Sequence, residues 1–139
     1  MRQKLNLITL GVTDFERSVK FWEALGWRKS KASMDGLAVF PLGGMILALH
    51  PRHELAADAT LPNTHSEFAG LTLSFNAKSE QEVDDVMAEV KKLGANIIKP
   101  AQKVYWGGYS GYFRDLDGHV FEVAYNPHWP LDENDNLNL

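Results

Sequence analysis

An α+β fold of two βαβββ modules in tandem is predicted by three observations: two capped amphipathic helices, a strand of similar spelling before each, and the same closing hairpin after each. In the hairpins, "FPLGGMILALHP" aligns with "RDLDGHVFEVAYNP", with Gly44 on Gly118 and Pro51 two places from Pro127. The repeat recurs after roughly 63 to 74 residues, too long a period for a solenoid. With 139 residues the chain reads as a single domain. Its expected parts are a first module at about 4–50, a linker at 51–66, a second module at about 67–127 and a tail at 128–139.

The first strand is "LITLGV" at 7–12. Thr13 and Glu16 then have the spacing of a capping box, and a helix over 14–25 places Phe15, Val19 and Trp22 on one face before Gly26 stops it. Weaker strand signals follow at 28–32, 37–41 and 44–50. The linker "PRHELAADATLPNTHS" is polar and begins with proline, with one helical turn expected around Glu54 to Ala57.

The second module repeats this plan. "GLTLSF" at 70–75 is its first strand, and Ser79 with Glu82 repeats the capping signal. Val83, Val86, Met87, Val90 and Leu93 form the helical stripe that Gly94 closes. Strands are expected at 96–99, 109–114 and 119–125, and the acidic tail is expected to be largely irregular.

Two stretches, "LGVTDFERSVKFWEALGW" and "YFRDLDGHVFEV", resemble the first strand and helix and the terminal hairpin of the vicinal oxygen chelate superfamily. That superfamily includes glyoxalase I, extradiol dioxygenases and bleomycin-resistance proteins. Leu116 stands where the family's hairpin usually has proline. The resemblance implies a glyoxalase-like fold in which eight strands form a cup, and it implies a homodimer. Metal-dependent members place one ligand on each of four strands. The matching positions here are Leu7, Ala48, Gly70 and Glu122, of which only Glu122 has a donor side chain. A divalent cation needs three or four His or carboxylate donors, so the expectation is no metal and no other cofactor.

A net charge of -4 without a Lys/Arg cluster argues against a nucleic-acid partner, and no apolar run reaches the roughly 18 residues of a membrane span. The chain has no cysteine, which removes disulfides and thiolate chemistry. It also shows no apolar signal core, so a cytoplasmic location is expected.

Glu122 is the candidate catalytic residue, because strand alternation puts it with Val120 and Ala124 on the face that the resemblance turns into the cup. There it has three possible roles: a general base, a hydrogen-bond anchor for a ligand, or simply the partner of an interior hydroxyl. Thr9, Thr72 and Ser74 share the required parity. His50 lies two residues beyond Ala48 on the same strand face, although a half-exposed strand end beside Pro51 is the plainer explanation for it. His119, with opposite parity to Glu122, reads as structural. Trp106, Tyr109 and Tyr112 come from an aromatic-rich stretch suited to a planar ligand. The pattern "WGGYSG" is no phosphate loop. The expected function is therefore metal-free binding of a small, planar organic ligand, with a metal-independent lyase or isomerase using Glu122 as the alternative. A metal-dependent glyoxalase-type lyase or dioxygenase is the least favoured reading.

Overall fold

The computed structural model describes residues 1, 3 and 5–137. Arg2, Lys4, Asn138 and Leu139 lie outside the described residues, and so do the expected start of the first module at residue 4 and the last two tail residues. The chain divides into two compact units, Met1–Ser66 and Glu67–Leu139.

In the first unit, β1 (Leu7–Val12), β2 (Ala38–Pro41) and β3 (Ile46–Pro51) form a sheet in the order β1-β3-β2. β1 runs parallel to β3, and β2 antiparallel. The helix α1 (Phe15–Ala24) starts one residue later than its sequence signal: Asp14, not Thr13, is the N-cap, and its carboxylate accepts from the Arg17 N–H at 3.1 Å. Asp and Thr are both good caps, and here the carboxylate takes the place. α1 buries Ser18, Val19, Phe21 and Trp22, and Trp22 continues into an aromatic stack with Trp27 at 4.5 Å between ring centroids. The linker holds more helix than one turn. In α2 (Arg52–Asp58), Arg52 donates to Asn63 Oδ1 at 2.8 Å and to the Thr64 carbonyl, fastening the rest of the linker.

The strand expected at 28–32 does not form, so seven strands are present among the described residues rather than eight. One ladder-like bond remains, from the Ser30 N–H to the Val39 carbonyl at 2.8 Å. Serine side chains take over the neighbouring backbone donors: Ser30 Oγ accepts from Ala32 N–H and Ser33 Oγ from Val39 N–H. Such local bonds compete with a ladder.

In the second unit, β4 (Leu73–Asn76), β5 (Asn96–Lys103), β6 (Tyr109–Arg114) and β7 (Val120–Tyr125) are ordered β4-β7-β6-β5. β4 starts later than expected because Gly70 has φ +72, a left-handed conformation that a strand does not pass through. β5 is an edge strand with register shifts on both sides of Lys99, next to Pro100. Proline lacks the N–H that a regular ladder needs, so an edge strand with bulges accommodates it. The helix α3 (Glu80–Lys92) has the predicted cap: Ser79 Oγ accepts from Glu82 N–H at 3.1 Å, while Glu82 reaches back to Lys78 N–H at 2.5 Å. Its Val83, Met87 and Val90 are buried against the sheet face that carries Phe113, Phe121 and Val123. Phe113 and Phe121 stack with 5.2 Å between centroids. Gly111 lets α3 come this close, since a Cβ there would lie 2.8 Å from Met87 Cε and 3.0 Å from the Ala101 backbone nitrogen.

Candidate functional site

On the sheet face away from α3, four strands of the second unit place four polar residues side by side. The register pairs Ser74 with Glu122, Glu122 with Tyr112, and Tyr112 with Lys99. Directly opposed residues on neighbouring strands share a face, so the row follows from pairing alone. Glu122 is half-buried and its two oxygens have separate partners. Oε1 accepts from the Tyr112 hydroxyl at 2.7 Å, and Oε2 accepts from Ser74 Oγ at 3.1 Å. The Lys99 ammonium sits over the Tyr112 ring, 5.5 Å from its centroid.

Burial pushes the Tyr112 hydroxyl up to about 12, with the hydrogen bond to Glu122 and the carboxylate's charge adding to the effect. Tyr112 is therefore a fixed O–H donor at neutral pH. Both Glu122 oxygens are thereby engaged and the carboxylate is held in one orientation. Two residues along β6 on the same face, Arg114 donates from Nη2 to the Glu67 carbonyl at 2.9 Å, while its Nε–H is buried without a partner. A buried donor without a partner is uncommon in a folded chain and marks this end of the face.

Of the residues singled out from the sequence, Ser74, Tyr112 and Glu122 come together. Thr72 is exposed and precedes β4, and Thr9 lies on β1 of the first unit opposite Ala48. Tyr109 occupies the other face of β6, where its hydroxyl donates to Asp84 of α3 at 2.9 Å, because its offset from Tyr112 along the strand is odd. Trp106 lies over the backbone of Gly108, whose added Cβ would fall 1.6 Å from the ring. Phe113 is buried core. The aromatic stretch therefore divides between both sheet faces and a turn, and only Tyr112 joins the Glu122 row.

His50 is turned inward at the end of β3, with Nδ1 2.6 Å from the Gly36 carbonyl and Nε2 3.8 Å from both Glu54 and Asp58 carboxylates. His119 belongs to the β6–β7 turn. Asp115 Oδ1 accepts from the backbone N–H groups of Asp117 and His119, and Oδ2 lies 2.9 Å from His119 Nδ1.

Sequence reasoning missed Lys99 and Arg114. Arg114 was within reach, since it shares Tyr112's parity two residues on. Lys99 was not, because its register depends on the irregular β5.

A metal ion does not fit the donor set. Leu7 and Ala48 offer no donor atoms, Gly70 has no side chain, and both Glu122 oxygens already accept O–H bonds. Among the described residues no three His, Asp or Glu side chains are grouped to hold an ion.

The model of the Glyoxalase/Bleomycin resistance protein/Dioxygenase superfamily matches residues 4–123. Metallothiol transferase FosB of Staphylococcus saprophyticus is 27% identical over 123 residues, covering 88% of this chain and 77% of the relative. A glyoxalase-related enzyme from Fulvimarina pelagi superposes with a TM-score of 0.88 at 29% identity, covering 99% of this chain and 98% of that one. A mutant of the fosfomycin resistance protein FosX from Listeria monocytogenes, complexed with Mn(II) and 1S,2S-dihydroxypropylphosphonic acid, superposes with a TM-score of 0.66. It is 25% identical and covers 88% of this chain and 90% of that one.

Proposed function

Because the chain belongs to the Glyoxalase/Bleomycin resistance protein/Dioxygenase superfamily, we propose that it binds a small organic ligand against the sheet face that carries Glu122, without a metal ion. The observation that carries this reading is the pair of O–H bonds on Glu122, from Tyr112 and Ser74. They hold the carboxylate in a fixed orientation, as an anchor for a ligand N–H or O–H requires. Arg114 shares this face two residues along β6, its Nε–H buried and without a partner. With Tyr112 the only ring in the row, and with Lys99 already over it, hydrogen bonding rather than stacking on several rings selects the ligand.

The similar FosB and FosX proteins carry metal in their names or complexes. That chemistry is not carried over here, because the positions matching the family's ligands are Leu7, Ala48, Gly70 and Glu122. A second reading, a metal-independent lyase or isomerase, is favoured by one fact: a hydroxyl that stays protonated stands 2.7 Å from a carboxylate, an acid beside a base.

The further parts of the reading are a single glyoxalase-like domain over 1–139, assembly as a homodimer, and a cytoplasmic location. No helix among the described residues is long and apolar enough to cross a membrane.

A thermal-shift screen of small polar organic compounds, followed by titration of the hits into Glu122→Gln, tests the proposal. A binder loses roughly tenfold in affinity with the variant, the size of one charge-assisted hydrogen bond. Unchanged affinity for every hit would refute the anchor, and turnover that collapses while affinity is kept would replace it with the enzyme reading.

A further inference from the structure

A cavity of about 450 Å³ opens at the carboxyl ends of β4 and β7, in the second unit, away from the Glu122 row. Ala77 and Lys78, just beyond β4, form one wall, Tyr125 and the residues after it form another, and the tail closes the third. The tail is built to stay there. Asp132 Oδ1 accepts from the N–H groups of Asn134 at 2.8 Å and Asn136 at 2.9 Å, and Leu131 bridges Leu137. Lys78 then ties Asp135 to the β4–α3 connection with an ion pair of 2.7 Å.

The chemistry of the lining is lopsided. Lys78 is its one cation and is committed to Asp135, a bond that raises the Lys78 pKa. Asp132 and Glu133 remain as two carboxylates with no second cation in the lining. Backbone N–H bonds from Asn136 and Asn134 lower the Asp132 pKa, so it stays ionised well into acid. Trp129, half of it exposed, and Tyr125 supply aromatic surface in the same cavity.

An open cleft of this size, with aromatic side chains and two carboxylates unmatched by a second cation in its lining, complements a flat organic cation. We infer that the tail cavity is a second binding site, for planar aromatic cations such as quaternised nitrogen heterocycles, in which Trp129 supplies a ring and Asp132 and Glu133 supply the field. It is separate from the Glu122 row: Tyr125 has opposite parity to Glu122 on β7, and Glu122 does not line the cavity.

Isothermal titration calorimetry of the full chain with 1-methylquinolinium, against uncharged quinoline at pH 8, tests this. The cation is expected to saturate one site per chain, at least about tenfold more tightly than quinoline, with affinity falling as salt rises. Glu133→Gln, at an exposed side chain, is expected to weaken the cation about two- to fivefold, and Trp129→Ala at least as much. Equal binding of quinoline and the cation, or no saturable binding of either, overturns the inference. Cation binding that survives both variants but is lost in Glu122→Gln overturns it too, by placing the probe on the other sheet face.

Discussion

Tyr112 on β6 and Glu122 on β7 are directly opposed residues joined by a 2.7 Å hydrogen bond from phenol to carboxylate. The bond has a measurable consequence in the titration of the phenol. Burial, then the bond, then the carboxylate's charge raise its pKa from 10.0 to about 12. Because the folded value lies above the unfolded one, the stability this group contributes is complete below pH 10 and is lost as pH rises towards 12. Absorbance titration of the tyrosinate band is expected to show a late-titrating phenol in the wild type that disappears in Tyr112→Phe. A variant with an unaltered high-pH limb would show that the late phenol lies elsewhere.

The same pair is expected to be energetically coupled. Tyr112→Phe and Glu122→Gln should each destabilise the chain, while the double variant costs less than the two single changes together. The interaction term in a double-mutant cycle of urea unfolding should be about 1 kcal/mol, the scale of a hydrogen bond to a charged group that is only partly buried. Strict additivity would mean that the bond contributes nothing in solution.

What the sequence made legible depends on the range of the interaction that decides each feature. Both helices and their glycine stops were readable because caps and stripes are local, and the one-residue shift from Thr13 to Asp14 is a choice between neighbouring good caps. The Ser74–Glu122 contact followed from parity, which needs only the right strand assignment. Tyr109 was grouped with Tyr112 although alternation sends it to Asp84. The missing strand at 28–32 turned on serine side chains competing for backbone donors, which hydrophobic pattern does not register. Lys99 and the tail cavity were out of reach for a different reason: the first needs the register of a bulged edge strand, the second a contact between Lys78 and Asp135 far apart in the chain.

The β6–β7 turn has its own test. Asp115 is buried, and its carboxylate satisfies the N–H groups of Asp117 and His119 while holding the His119 ring. Asp115→Ala leaves those backbone donors without their acceptor and should cost about 2–3 kcal/mol in chemical denaturation. Asp115→Asn keeps one oxygen and should recover part of the loss. If alanine were tolerated within experimental error, the turn would be held by its backbone bonds alone.

A metal requirement is also open to direct measurement. With donors missing at Leu7, Ala48 and Gly70, treatment with a chelator is expected to leave the melting temperature unchanged, and elemental analysis of protein purified without chelator should find far less than one transition-metal ion per chain. Stoichiometric zinc, manganese, nickel or iron, with a melting temperature that drops on chelation, would mean that other side chains complete a site.

The tightest steric condition in the second unit is at Gly108. A Cβ there would lie 1.6 Å from the Trp106 ring and 2.5 Å from the Tyr125 carbonyl oxygen. The ring can rotate away, but the carbonyl belongs to β7 and cannot move without disturbing the β6–β7 pairing. Gly108→Ala should therefore destabilise the chain by about 2–3 kcal/mol, an overpacking penalty at the upper end of the usual range. Adding Trp106→Ala removes the ring clash and leaves the backbone one, so the double variant should recover only part of the loss. Full recovery would make the Trp106 ring the sole reason for glycine at this position, and no loss in Gly108→Ala would mean that the turn between β5 and β6 repacks freely.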